Sequence, residues 1–292
     1  MQISRHSAVG YPPRAGGWNA LILIREDTVP ELPPELHIER AAAFWRLTLQ
    51  RPEKRNALTR TLLTTLLDAF GEARAAACHA LIIGGTGRAF CAGMDVTELQ
   101  DSAAAGSAAQ LADSQLLGRL FQELQDFPAP TIATVNGHAV AGGCGLATLC
   151  DFTLSVPEAK FGYPEAKIGF IPALVAVTLS RQVGEKRCRD LLLSGRLITA
   201  EQALQWGMVS ELVDPGRLQA RAMELAVALG ENSLESLRRT KRLLQQLQGL
   251  DSAAAWTLAA TANAEQRATP DFQEGVAAFL EKRQPRWPSR LP

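Results

Sequence analysis

Two glycine-rich stretches hold most of the residues that could do chemistry: Ala89-Phe90-Cys91-Ala92-Gly93-Met94-Asp95 and Asn136-Gly137-His138-Ala139-Val140-Ala141-Gly142-Gly143-Cys144-Gly145. Each follows an apolar run that reads as a strand and opens onto a run that reads as a helix. Glycines at such junctions let the main chain take left-handed angles and let a ligand approach it closely. The first amides of a helix lack an intrahelical acceptor and carry the positive end of its dipole. The pattern therefore suits an anion or the oxyanion of a reacting carbonyl. From spacing alone, two ordinary loops of an α/β fold read equally well. Neither stretch is G-x-x-x-x-G-K-[ST] or G-x-G-x-x-G, which argues against a nucleotide-phosphate loop.

The other chemical side chains in these loops read more plainly. Cys91 and Cys144 have no histidine fixed beside them by sequence, so neither reads as a thiol nucleophile. His138 reads as a brace for its loop and Asp151 as a turn residue. Asp95 opens a helix, where a carboxylate serves as an N-terminal cap. The run Glu281-Lys282-Arg283 has the character of a solvated helix face.

The elements that must position these loops alternate along the chain. Leu36-His37-Ile38-Glu39-Arg40 and Phe44-Trp45-Arg46-Leu47-Thr48-Leu49 alternate at period two, as a strand pair does. Thr59 then caps a helix with apolar residues at Leu62, Leu63, Leu66, Leu67 and Phe70. Strands are expected at Ala80–Gly84, Thr131–Val135 and through Ser155. Helices are expected from Val96, over 108–127, from Gly142, and over 173–182, 185–193 and 200–206. Beyond Pro215 the pattern is almost wholly helical. Strands alternating with helices, then helices alone, indicate an α/β core over residues 35–214 and a helical region over 215–292. Residues 1–34 carry Pro12, Pro13, Pro30, Pro33 and Pro34 with little periodicity and read as an irregular extension.

Composition narrows the function classes. Thirty Lys and Arg balance thirty Asp and Glu, so no net field would gather nucleic acid or an anionic membrane. The five cysteines are scattered and never form C-x-x-C, which disfavours a disulfide framework or a zinc site and points to a reducing, cytoplasmic setting. No apolar run approaches the roughly 18–20 residues that span a bilayer. Leu21 to Ile24 is too short for a signal-peptide core, and Glu26, Asp27 and Glu31 soon follow the arginines that would hint at a transit peptide.

Several further motifs stand in one register with the two loops. They are Arg51-Pro52-Glu53-Lys54-Arg55-Asn56-Ala57-Leu58, Cys150-Asp151, Phe161-Gly162-Tyr163-Pro164-Glu165 with Ile168-Gly169, Gly195-Arg196, Ala200-Glu201-Gln202-Ala203, Gly207-Met208-Val209, and Phe279-Leu280-Glu281-Lys282-Arg283. Together, over about Leu36 to Arg286, they resemble the crotonase superfamily of enoyl-CoA hydratases and isomerases. The resemblance implies a crotonase-like spiral of ββα units in two packed sheets, with a helical C-terminal region used in trimerisation and often a dimer of trimers. It implies an acyl-CoA substrate, with coenzyme A entering as part of that substrate and no separate cofactor or metal. It maps the two oxyanion-hole amides to Met94 and Gly142. It lays the CoA moiety across both loops, along Arg55, Ala57, Ala92, Asp95 and Gly143, with Lys282 on a C-terminal helix meeting a phosphate.

The carboxylates decide the reaction. Hydratases of the two-glutamate type carry one glutamate in the second loop and one after the Phe-Gly motif. Here the loop position is Gly145 and Glu165 keeps the other. The resemblance then extends to single-glutamate members such as methylglutaconyl-CoA hydratases, so a hydratase is expected first and a 3-enoyl to 2-enoyl isomerase second. A catalytically silent acyl-CoA binder is the reading from another class, favoured by the missing loop glutamate. An RNA-binding role lacks a basic stripe to support it.

Overall fold

Alternation of apolar and half-exposed residues sets the first hairpin. Leu36–Arg40 (β1) and Phe44–Leu49 (β2) pair antiparallel, with Leu36 opposite Leu49 and Arg40 opposite Trp45. Trp45, Leu47 and Leu49 point into the core, as period two requires. The protein is described here from a computed structural model covering residues 35–41 and 43–290. The extension expected over residues 1–34 lies outside the described residues. A 3-10 helix, Pro52–Lys54, leads to Arg60–Ala75 (α1). The Thr59 hydroxyl accepts from Leu62 N at 3.0 Å, a cap worth about 1 kcal/mol.

Three ββα turns follow. Ala80–Gly85 (β3) and Ala89–Cys91 (β4) lead into Val96–Ala105 (α2) and Ser107–Gln125 (α3). Thr131–Val135 (β5) and His138–Val140 (β6) lead into Gly142–Thr148 (α4). Phe152–Ser155 (β7) and Lys160–Gly162 (β8) lead through a 3-10 helix, Pro164–Ile168, into Ala173–Val183 (α5) and Glu185–Ser194 (α6). In every turn the first strand joins one sheet and the second joins the other. Leu197–Thr199 (β9), Ala200–Gln205 (α7) and Glu211–Leu212 (β10) complete both sheets. The larger has the order β1-β2-β3-β5-β7-β10 and the smaller β4-β6-β8-β9. One apolar cluster joins Leu47, Ile83, Ile132 and Leu154 of the larger to Phe90, Ala139 and Phe161 of the smaller. This is the expected spiral of ββα units.

The smaller sheet is the part that periodicity did not show. Its strands β4, β6 and β8 are three residues each and lie inside or beside stretches that read as glycine loops or carry no periodicity.

Leu218–Gly230 (α8), Leu234–Gln246 (α9), Ser252–Gln266 (α10) and Pro270–Leu280 (α11) end the fold. Leu218, Leu225 and Leu229 bury or pack on the chain's own core, because α8 lies against β3, β5 and β7. Large apolar residues that stay exposed beyond α8 include Leu244, Trp256, Phe279 and Leu280. Among the described residues, no helix is long and apolar enough to cross a membrane.

Candidate active site

Three neighbouring parallel strands fix the site. β4 pairs with β6 and β6 with β8, with Cys91 beside Ala139 and Val140 beside Gly162. Because the three run the same way, their C-terminal ends deliver Gly93-Met94, Ala141-Gly142 and Tyr163-Pro164-Glu165 to one rim. Carboxyl ends of parallel strands are where α/β folds take ligands.

The first two segments touch. Gly93 holds φ +91°, and a Cβ there would lie 2.8 Å from the Ala141 Cβ and 3.3 Å from Gly142 N. A Cβ on Gly143 would lie 2.3 Å from the Cys91 carbonyl oxygen, so only glycine lets the first turn of α4 seat on β4. Ala141 keeps φ 52° without being glycine, a strain of roughly 1–3 kcal/mol. Its N–H donates to Gly162 O at 2.8 Å, which ties the strained residue to β8.

Both junction amides are left without a partner. Leu58 N donates to Gly93 O at 2.8 Å and Asp95 N donates to Leu58 O at 2.9 Å, so Met94 sits across from Leu58 in a parallel bridge that turns its own N–H to the other side. Gly142 is the first residue of α4, where no intrahelical acceptor exists. Among the described residues neither N–H finds an acceptor.

Glu165 is the second residue of the 3-10 helix Pro164–Ile168 and is 8% exposed. Burial raises its carboxyl pKa above the ordinary glutamate value, with its own backbone N–H pulling the other way. Its Oε2 is buried with no hydrogen-bond partner among the described residues. At Gly145 the surroundings are apolar: a Cβ there would lie 2.8 Å from Val175 Cγ1 and 2.9 Å from Phe121 Cζ. Leu117 Cδ2 stands 3.6 Å from where a Gly142 Cβ would be.

The remaining sequence-derived candidates fall into two groups. Arg55 and Ala57 border the first loop. The Arg55 carbonyl accepts from Ala92 N at 3.0 Å, and the Ala57 carbonyl accepts from Arg51 Nη1 at 2.6 Å. Asp95 caps α2 through Thr97 N and pairs with Arg51. Against the burial that would raise it, the Arg51 hydrogen bond and the Thr97 amide hold the Asp95 carboxyl below its ordinary value. Lys282 stands apart: it lies exposed in the left-handed turn after α11, and no hydrogen bond or ion pair ties it to either loop among the described residues.

His138 is exposed and its Nδ1 accepts from Lys160 N at 3.2 Å, joining β6 to β8. Burial pushes the Cys91 and Cys144 thiols up to about 12, which keeps them protonated. Asp151 accepts from Thr131 N and from Lys241 Nζ, bracing β5 against α9. No group of three or more His, Cys, Asp or Glu side chains could hold a metal among the described residues.

Sequence reasoning missed Asn56 as a site-building residue. It is fully buried at φ 54°; its Oδ1 accepts from Arg51 N, and its Nδ2 donates to the carbonyls of Thr86, Ala89 and Phe90. The signal available was an asparagine, the residue type most tolerant of left-handed angles after glycine, inside a charged turn.

Comparison with known proteins identifies relatives along most of the chain. The enoyl-CoA hydratase/isomerase family model matches residues 39–290. A Thermus thermophilus protein with the provisional name of enoyl-CoA hydratase is 44% identical over 240 residues, covering 82% of this chain and 95% of that one. The 2,3-dehydroadipyl-CoA hydratase of Escherichia coli is 36% identical over 261 residues, covering 88% and 99%. The crystal structure of an enoyl-CoA hydratase from Mycobacterium smegmatis superposes with a TM-score of 0.81 at 31% identity, over 87% of this chain and 99% of that one. The chain therefore belongs to the enoyl-CoA hydratase/isomerase family, the crotonase superfamily that its motifs resemble.

Proposed function

We propose that this enzyme adds water across the C2–C3 double bond of a 2-enoyl-CoA thioester, or removes it from the 3-hydroxyacyl counterpart, with Glu165 as the only carboxylate that moves protons. The observation that carries this reading is the buried Oε2 of Glu165, unpaired among the described residues and on the same rim as two main-chain amides equally unpaired there. The amides of Met94 and Gly142 hold the thioester oxygen. As water adds to C3, negative charge builds on that oxygen, and each fixed donor contributes roughly 10²–10³ in rate. Glu165 takes the proton from the attacking water and returns one to C2, so a single group serves as base and then as acid. A raised pKa suits both duties near neutrality, worth about 10²–10⁴.

In this reading the CoA moiety lies along Arg55, Ala57, Ala92, Asp95 and Gly143. The carbonyls of Arg55 and Ala57 each keep one lone pair for it beyond the bond already made. Lys282 reaches a phosphate from a neighbouring subunit, in a trimer or dimer of trimers held by the exposed apolar residues of α9 to α11. The five free, buried cysteines fit a reducing cytoplasm.

A second reading rests on Gly145. Val175 and Phe121 fill the space beside it, leaving no room for a second carboxylate there. A 3-enoyl to 2-enoyl isomerase needs one base to carry a proton from C2 to C4, which Glu165 alone supplies. The deciding assay is purified protein on 2-enoyl, 3-enoyl and branched CoA thioesters. Hydration of a 2-enoyl substrate is expected, isomerisation without hydration would select the second reading, and no turnover on any of them would leave a silent acyl-CoA binder.

A further inference from the structure

Arg51 has no part in the chemistry described above, yet its guanidinium makes three contacts around the first loop. Nη1 donates to the Ala57 carbonyl at 2.6 Å and Nη2 to Asp95 Oδ2 at 3.1 Å, while Nε forms an ion pair with Glu35 Oε1 at 2.9 Å. Ala57 precedes Leu58 and Asp95 follows Met94, and Leu58 and Met94 are the two residues of the bridge that leaves the Met94 N–H free. One rigid planar group therefore grips both sides of that bridge. The main chain that carries the guanidinium is itself anchored, since the Arg51 backbone N–H donates to Asn56 Oδ1 at 2.8 Å and the Asn56 amide holds the carbonyls of Ala89 and Phe90 in β4. The Arg51 side chain is only 13% exposed, so this pairing is weakly screened.

We infer that Arg51 is a positioning residue for the Met94 amide, locking the 57–58 and 94–95 segments so that this N–H stays aimed at the thioester oxygen. The inference rests on the oxyanion reading of Met94. Lysine cannot replace arginine in this role, because one ammonium cannot reach three separated acceptors from a fixed fork. Misalignment of one donor costs transition-state stabilisation and little ground-state binding, so kcat falls and KM holds.

The test uses Arg51→Lys, with Arg60→Lys as the control for an ion pair nearby that does not touch Met94; Arg60 pairs with Asp113. Two quantities are read: the red shift in ultraviolet absorption of a conjugated 2,4-dienoyl-CoA on saturating binding, and kcat with KM on the best 2-enoyl substrate. Polarisation of the carbonyl by its donors produces the red shift, so fold stability alone does not move it. Arg51→Lys is expected to lose most of the shift and about 10- to 100-fold in kcat, with KM changed less than about threefold and Arg60→Lys unaffected. A full shift and a kcat within about threefold of wild type in Arg51→Lys would overturn the inference. Absence of any shift in the wild type would instead overturn the oxyanion reading. Should Arg51→Lys fail to fold, Asp95→Asn, which removes the charge facing Nη2 and keeps an amide oxygen to cap Thr97 N, is read by the red shift alone, because Asp95 also borders the CoA path; loss of most of the shift is expected and a full shift would overturn the inference.

Discussion

Gly145 in α4 lies so close to Phe121 of α3 that a Cβ on it would stand 2.9 Å from the ring, with Val175 Cγ1 at 2.8 Å on the other side. Phe121 and Val175 are themselves buried, so neither can swing into solvent. Adding any side chain there overpacks the core, at a cost of about 1–3 kcal/mol for the first carbon. Gly145→Ala should lower stability in denaturant titration by that amount, and Gly145→Glu by more, without a gain in hydration rate. From sequence alone, restoring a glutamate at this position looks like a way to build a two-carboxylate hydratase. The packing says that Phe121 and Val175 would have to shrink first, and a stable, faster Gly145→Glu variant would contradict it.

The buried carboxyl of Glu165 links stability to pH. Its folded pKa is raised, chiefly by burial, above the unfolded value. The folded state therefore holds the proton more tightly. The contribution to stability is full below the unfolded pKa and is lost as pH rises through the folded pKa. Glu165→Gln removes the charge that burial disfavours. The variant should be more stable than wild type at pH 7, with the difference shrinking toward pH 4, as read from denaturant midpoints across that range. A variant less stable than wild type at pH 7 would show that the carboxylate is satisfied by contacts the site does not display.

The C-terminal helices leave large apolar residues in solvent, among them Trp256, 74% exposed, and Phe279, 82% exposed. Surfaces of that kind mark an interface more often than a solvated face. Light scattering should give a mass of three or six chains, and Trp256→Gln with Phe279→Gln should shift the distribution toward monomer. A stable monomeric wild type at micromolar concentration would contradict the trimer and remove Lys282 from the neighbouring site.

Much of the larger sheet and the long helices before Pro215 were legible, because β2 alternates at period two and α1 repeats its leucines at helical spacing, while the region beyond Pro215 read as helical without its four helices being separated. The smaller sheet was not. A three-residue strand such as β4 or β6 shows too little alternation to separate from a glycine loop, and its pairing is set by neighbours distant in sequence. The chemically informative residues were nevertheless readable, since close approach demands glycine at Gly93 and Gly143 whatever the strands around them do. The roles of Arg51 and Asn56 were hidden for the opposite reason. Charged and amide side chains in a turn usually face water, and only the fold shows Arg51 turned onto the Ala57 carbonyl and Asp95, and Asn56 onto carbonyls of β4.

The central claim is that Glu165, alone among the carboxylates, moves the protons, and single-turnover hydration of a short 2-enoyl-CoA by wild type and Glu165→Gln tests it most directly. Glutamine keeps the shape of the side chain and leaves the two amides and the CoA path untouched, so binding should change little. The rate of the chemical step should fall by roughly 10² or more, and the wild type should lose activity on the acid side with an apparent pKa above that of an ordinary glutamate. A Glu165→Gln rate within about threefold of wild type, on this substrate and on its 3-enoyl isomer, would contradict the account by removing Glu165 from the mechanism.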